Sequence, residues 1–82
     1  MKNMSKAFIL INCELGSEIQ VISDLKAVDC VKKVYGVFGA YDILANLECD
    51  RLEELRQTII LKIRRIDNIR STKTLMGIDG QC

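Results

Sequence analysis

The chain has no histidine, no proline and no tryptophan, and its lysines and arginines outnumber its acidic residues by only 12 to 11. With no histidine, no metal-ligand spacing, no nucleophile–base pair and no P-loop, nothing marks a reacting centre, so an enzyme is not expected and no cofactor or metal is called for. The four cysteines, Cys13, Cys30, Cys49 and Cys82, stand far apart without a C-x-x-C, so the usual zinc spacings are missing. A net charge of +1, spread along the chain, leaves no basic field for a phosphate backbone, and direct nucleic-acid binding is not expected. No apolar run approaches the roughly 20 residues that span a bilayer, and no signal peptide leads the chain. A reducing cytoplasm is the expected compartment, and Cys13 and Cys49, inside predicted strands, read as small buried apolar residues. Disorder is excluded as well, because the chain is 49% apolar and lacks low-complexity stretches.

The 82 residues make one domain, 1–82, with residues 1–5 a short flexible N-terminus. A domain this small buries only roughly 60% of its unfolded surface and often needs a staple or a partner. The most informative stretch is 34–47, V-Y-G-V-F-G-A-Y-D-I-L-A-N-L, which reads as two strands folded back at Gly39-Ala40. Gly39 can take φ > 0 without a Cβ clash, as a tight hairpin requires. Tyr41 and Asp42 follow it directly and place a phenol and a carboxylate at the hairpin mouth.

In chain order, 6–14 predicts a first strand whose run Ala7-Phe8-Ile9-Leu10-Ile11 suggests burial of both faces. Gly16-Ser17 breaks it, and Ser17 with Gln20 has capping-box spacing. The helix that follows presents Ile19, Ile22 and Leu25 on one stripe, flanked by Val21 and Val28. Strands over 31–38 and 41–49 form the hairpin. Asp50 with Glu53 predicts the cap of a second helix, whose stripe is Leu52, Leu55, Ile59, Ile63 and Ile66. Lys62, Arg64 and Arg65 suit the negative end of its dipole, and Leu61 lies off the stripe. A fourth strand over 69–78 carries Thr72, Thr74 and Met76 on one face.

This order predicts an α+β, ferredoxin-like βαββαβ fold, a four-stranded antiparallel sheet with two helices on one face. Alternation turns Ala7, Ile9, Ile11 and Cys13, with Tyr41, Ile43, Ala45, Leu47 and Cys49, toward the helices. Phe8, Leu10, Leu44 and Met76 are left on an open face, an apolar patch for which homodimerisation is the economical answer.

With these residues in hand, the chain resembles the effector-binding (RAM) domain of the Lrp/AsnC family of feast/famine transcription regulators, from about Lys6 to Asp79. The carriers are V-K-K-V-Y-G-V-F-G-A-Y-D-I-L-A-N-L at 31–47, L-E-E-L-R at 52–56 and I-R-R-I-D-N-I-R-S-T-K-T at 63–74. They resemble the family's G-x-Y-D hairpin, second helix and T-x-T last strand. Family regulators carry an N-terminal helix-turn-helix, whereas five residues precede the first strand here, so a stand-alone form without direct DNA binding is expected. The resemblance implies homodimers through the sheets, a higher ring, an amino-acid ligand bound between dimers, and full-length Lrp/AsnC regulators as a further partner. Ala40 departs from a position often polar in the family, which removes one ligand contact or surface charge.

On that resemblance the ligand-binding residues are Gly36, Gly39, Tyr41, Asp42, Thr72 and Thr74. Asp42 would accept the ligand's ammonium group, backbone N–H groups around Gly36, Gly39 and Tyr41 would hold its carboxylate, and the threonines would add hydroxyls. Each residue also has a plainer reading. A hairpin needs Gly39 with or without a ligand, Asp42 can bond its own turn, Tyr41 can be half-buried packing, and Thr72 and Thr74 are ordinary strand residues. Tyr35 and Phe38 could stack single-stranded RNA, but the RNP pattern is lacking. An acylphosphatase-like site would want a basic anion cradle that Gly16-Ser17 does not offer. The ACT domain is the nearer rival, and G-A-Y-D at the turn between the second and third strands favours the Lrp/AsnC type. The functional alternative is a ligand-free assembly protein that associates with itself or with full-length regulators.

Overall fold

The computed structural model describes residues 4–76. Expectations for residues 1–3, for the end of the last strand at 77–78 and for Cys82 lie outside the described residues. The elements run β1 (Ser5–Cys13), α1 (Glu18–Lys26), β2 (Val31–Gly36), β3 (Ile43–Cys49), α2 (Leu52–Thr58), a π-helical continuation (Ile59–Ile63) and β4 (Ile69–Met76). The strands form one sheet in the order β2-β3-β1-β4, with every neighbouring pair antiparallel. This is the ferredoxin-like α+β fold expected from the element order.

One face of the sheet carries the core. Ala7, Ile9 and Ile11 stand opposite Leu47, Ala45 and Ile43, and all six are buried with Val21 and Leu25 of α1 and Leu55, Ile59 and Ile63 of the second helix. Because the strand period is two, the intervening residues point the other way. β1 is therefore buried on one face only, contrary to the reading of its apolar run: Phe8 is 43% exposed and Leu10 half-buried. The open face holds Tyr35 opposite Leu44, Leu44 opposite Leu10, and Phe8 opposite Leu75. Met76 is not on it. Met76 pairs with Ala7, which turns it to the helix side, and Leu75 takes the place expected for it. The Oδ1 of Asn46, opposite Phe8 on the open face, is buried without a hydrogen-bond partner among the described residues.

The helix caps differ from expectation. Gly16 (φ 84) turns the chain, and the Ser17 hydroxyl donates back to the Glu14 carbonyl at 2.6 Å. Ser17 is the N-cap residue but makes no side-chain cap bond, while Gln20 bonds Asp24 one turn on. A nearby carbonyl has outcompeted the helix N–H for the hydroxyl. The α1 stripe is also rotated: Val21 and Leu25 are buried, Ile22 and Val28 pack at the margin, and Ile19 is 85% exposed. At α2 the N-cap is Arg51, in extended conformation, and not Asp50. Beyond Thr58 the helix widens, with the Arg64 N–H donating to the Ile59 carbonyl five residues back at 3.1 Å. Leu55, Thr58, Ile59 and Ile63 keep to the core, while Leu52, Ile60 and Leu61 face outward. Asn68, at φ 72, is the left-handed residue between this helix and β4.

Cys49 is buried, as expected, but it is not a lone apolar residue. It forms a disulfide with Cys30, which precedes β2, across a Cα–Cα distance of 5.4 Å. Cys13 is buried with a free thiol.

Candidate functional site

The β2–β3 connection is longer than a two-residue hairpin. β2 stops at Gly36, opposite Ile43 at the start of β3, and the Val37 N–H donates to the Asp42 carbonyl at 2.9 Å. Residues 38–41 form the tip, Gly39 adopts φ 124 within it, and Phe38 is fully exposed. Tyr41, expected within β3 and facing the helices, lies before the strand and is half-buried.

Asp42 is the pinned residue of this loop. Besides the bond from Val37, its own N–H donates to the Ile11 carbonyl at 2.9 Å, and its Oδ2 accepts from the Cys13 N–H at 3.0 Å. The side chain thus replaces a ladder partner where β1 outruns β3, and its bond goes to β1 and not to its own turn. A carboxylate has about four lone-pair sites, so this one bond leaves capacity for a ligand donor. The Asp42 charge also acts on its neighbour. Burial is the main cause pushing the Cys13 thiol above its ordinary value, with Asp42 and Glu18 acting in the same direction and the Ser17 hydroxyl opposing them.

Asp42 borders two cavities. One, of about 410 Å³, is lined by Asn12, Asp42, Arg70 and Ser71. The other, of about 360 Å³, lies toward α1 and is lined by Glu18, Ile22, Gly36, Val37, Phe38 and Asp42. Gly36 and Asp42 are therefore brought together, whereas Gly39 sits at the loop tip and Tyr41 lines neither cavity. Thr72 and Thr74 are elsewhere. They stand opposite Ile11 and Ile9 on β4, the edge strand farthest from β2. Thr74 borders a third cavity, of about 210 Å³, with Arg56, Ile59, Ile60, Arg64 and Met76. Neither threonine lines a cavity that Asp42 borders.

Arg70 was not among the residues singled out from the sequence. It reaches Glu14 at 3.9 Å with both side chains well exposed, a pair of little energetic weight, and it shares the larger Asp42 cavity. Asn12 and Ser71 close that cavity, with the Asn12 amide 3.4 Å from the Ser71 hydroxyl. The signal that could have found Arg70 is the pairing of β4 with β1, which brings the I-R-S segment beside N-C-E; periodicity alone does not supply it. A carboxylate and a guanidinium in one polar cavity offer opposite charges to one small ligand.

The family model of the Lrp/AsnC ligand binding domain matches residues 6–79. An uncharacterised HTH-type transcriptional regulator of Pyrococcus abyssi is 38% identical over 68 residues, 83% of this chain and 43% of the relative. Regulatory protein AsnC of Escherichia coli is 34% identical over 59 residues, 72% of this chain and 39% of the relative. The chain thus spans about two fifths of the length of these curated relatives. Among solved structures, a hypothetical protein from Pyrococcus horikoshii superimposes with a TM-score of 0.85 at 39% identity, covering 90% of this chain and 89% of the other.

Proposed function

The chain belongs to the Lrp/AsnC ligand binding domain family, and on that premise we propose that it is a non-enzymatic module that assembles with itself and binds a small amino acid beside the loop at 37–42. The observation that carries the ligand is the position of Asp42. Three hydrogen bonds fix its backbone and one carboxylate oxygen, and it borders a cavity that also presents Arg70. In this reading Asp42 accepts from the ligand's ammonium group, and Arg70, which lines the same cavity, takes the carboxylate. Thr72 and Thr74 line neither Asp42 cavity, so in this reading they join the ligand from a neighbouring subunit.

Self-association has separate support. The open face exposes Phe8, Tyr35 and Leu75, and the buried Asn46 Oδ1, without a hydrogen-bond partner among the described residues, lies among them. A buried acceptor without a donor costs about 1–3 kcal/mol, and a second sheet laid on this face can supply the donor while covering the apolar groups. The ligand-free reading draws on a different surface, the outward Ile60 and Leu61 beyond α2, which suits docking to further copies or to full-length regulators. Regulators of transcription work where DNA is, so the proposed compartment is the cytoplasm.

Native mass spectrometry of the chain with and without the twenty amino acids tests the proposal. A dimer or larger ring that retains an amino-acid adduct, lost in Asp42→Asn without loss of assembly, is the expected result. Asparagine keeps an acceptor for the Cys13 N–H, removes the charge and replaces the other acceptor oxygen with an NH2 donor. Assembly without any adduct would leave the ligand-free reading, and a monomer would overturn both.

A further inference from the structure

At the end of the β2–β3 pair opposite the loop lies a second cluster that the reading above does not use. Cys30 Sγ, Cys49 Sγ and a carboxylate oxygen of Glu54 all lie within 4.8 Å of one another. Both sulfurs are buried and Glu54 is exposed, so the group has a solvent side and a protein side. It borders a cavity of about 200 Å³ whose lining includes Asp29, Lys32 and Glu48. Beneath it, Thr58 is a buried polar residue, 6% exposed, and its hydroxyl is directed at Cys30 Sγ at 3.9 Å.

We infer that, when the Cys30–Cys49 disulfide is reduced, the two thiolates and the Glu54 carboxylate form a binding site for a borderline-soft divalent cation of the Zn²⁺ type. Two sulfurs and one oxygen match that donor preference, whereas Mg²⁺ and Ca²⁺ favour all-oxygen sets. Tetrahedral Zn–S bonds of about 2.3 Å place two sulfurs about 3.8 Å apart. Releasing the S–S bond between residues held at a Cα–Cα distance of 5.4 Å reaches that spacing by side-chain rotation. The fourth position, on the side of Glu54, is open to water. Thr58 serves as a second layer, since a hydroxyl aimed at sulfur stabilises a metal-bound thiolate more than it does a neutral disulfide sulfur.

Disulfide and metal exclude each other. A thiol reductant delivers two electrons and two protons to the S–S bond and leaves as its own disulfide. The cation then displaces the two thiol protons to solvent. One pair of residues thus holds β2 to β3 in either redox condition, by a covalent bond in one and by a cation in the other.

The test uses the full chain, reduced and freed of metal, titrated with Zn²⁺ alone against a chromophoric chelator and with Co²⁺ as a spectroscopic stand-in. The expected result is one equivalent per chain, a sulfur-to-cobalt charge-transfer band with d–d bands of tetrahedral intensity, and no uptake by the oxidised protein. Cys30→Ser and Cys49→Ser abolish the band, Cys13→Ala and Cys82→Ser retain it, and Glu54→Gln weakens binding tenfold or more. Glu54 is exposed, so that variant tests the site even if a buried serine harms folding. Absence of uptake by folded, reduced protein would overturn the site, as would binding that survives loss of both Cys30 and Cys49. Unchanged affinity in Glu54→Gln would overturn the three-donor arrangement.

Discussion

Reducing the Cys30–Cys49 bond should cost this domain a large share of its stability. The bond joins residues 19 apart in sequence, and the chain-entropy relation for a loop of that length gives roughly 3 kcal/mol. At roughly 0.05–0.15 kcal/mol per residue, a chain of 82 residues has about 4–12 kcal/mol in total. Unfolding entropy near 2.1 cal/mol/K per residue sums to about 0.17 kcal/mol/K, so the loss translates to a fall in melting temperature of about 15–20 °C. Circular-dichroism melts with and without a thiol reductant measure this. A chelator must be present to exclude metal, and protein concentration must be fixed because an assembling chain has a concentration-dependent midpoint. The double variant Cys30→Ala/Cys49→Ala should melt near the reduced wild type and ignore the reductant. A wild-type midpoint that moves by no more than a degree or two, or a reductant effect that persists in the double variant, would refute the reasoning.

Three further outcomes follow from the same structure. Asp42→Ala leaves the part-buried Cys13 N–H without its acceptor and should cost about 1–3 kcal/mol in urea unfolding, while Asp42→Asn costs clearly less; equal losses would show that the hydrogen bond is not the cause. The Cys13 thiol is raised chiefly by burial, so its contribution is whole below the unfolded value of about 8.5 and disappears as pH rises through the higher folded value. Stability of the wild type should therefore fall more steeply above about pH 8.5 than that of Cys13→Ala, and parallel pH profiles would contradict this. Phe8→Asp and Leu75→Asp alter residues that are 43% and 47% exposed in the single chain. Light scattering should find them monomeric with the fold retained, and an unchanged assembly mass would move the interface to another surface.

Much of the fold was legible because the strands obey a period of two. The helix-facing sets on β1 and β3 could be read from alternation, and Ile43, Ala45, Leu47 and Cys49 are all buried. Ser17 shows where this legibility ends. Its spacing to Gln20 is that of a capping box, but the Glu14 carbonyl competes for the hydroxyl, and sequence does not rank two partners so close together. Met76 was assigned to the wrong face because the register of β4 is set by its pairing with β1, not by its own residue pattern. The candidate site was legible only in part for the same reason. Asp42 announces itself beside a turn glycine, whereas Arg70, the separation of Thr72 and Thr74 from the loop, and the meeting of Cys30 with Cys49 are facts about which strands lie side by side.

The cross-link between Cys30 and Cys49 has a consequence for how this hairpin can change over time. Residues 30–49 are a closed ring of chain, shut at one end by the loop and at the other by sulfur. In most hairpins the turn must fix the register, because a slip of one residue would send every side chain to the opposite face. Here the cross-link pins the strands at the end far from the turn, and a one-residue bulge between Val31 and Lys33 separates it from the rest of the ladder. The turn, where Gly39 holds φ 124, keeps its duty of setting the strands in step, while the cross-link limits how far they can part at the other end.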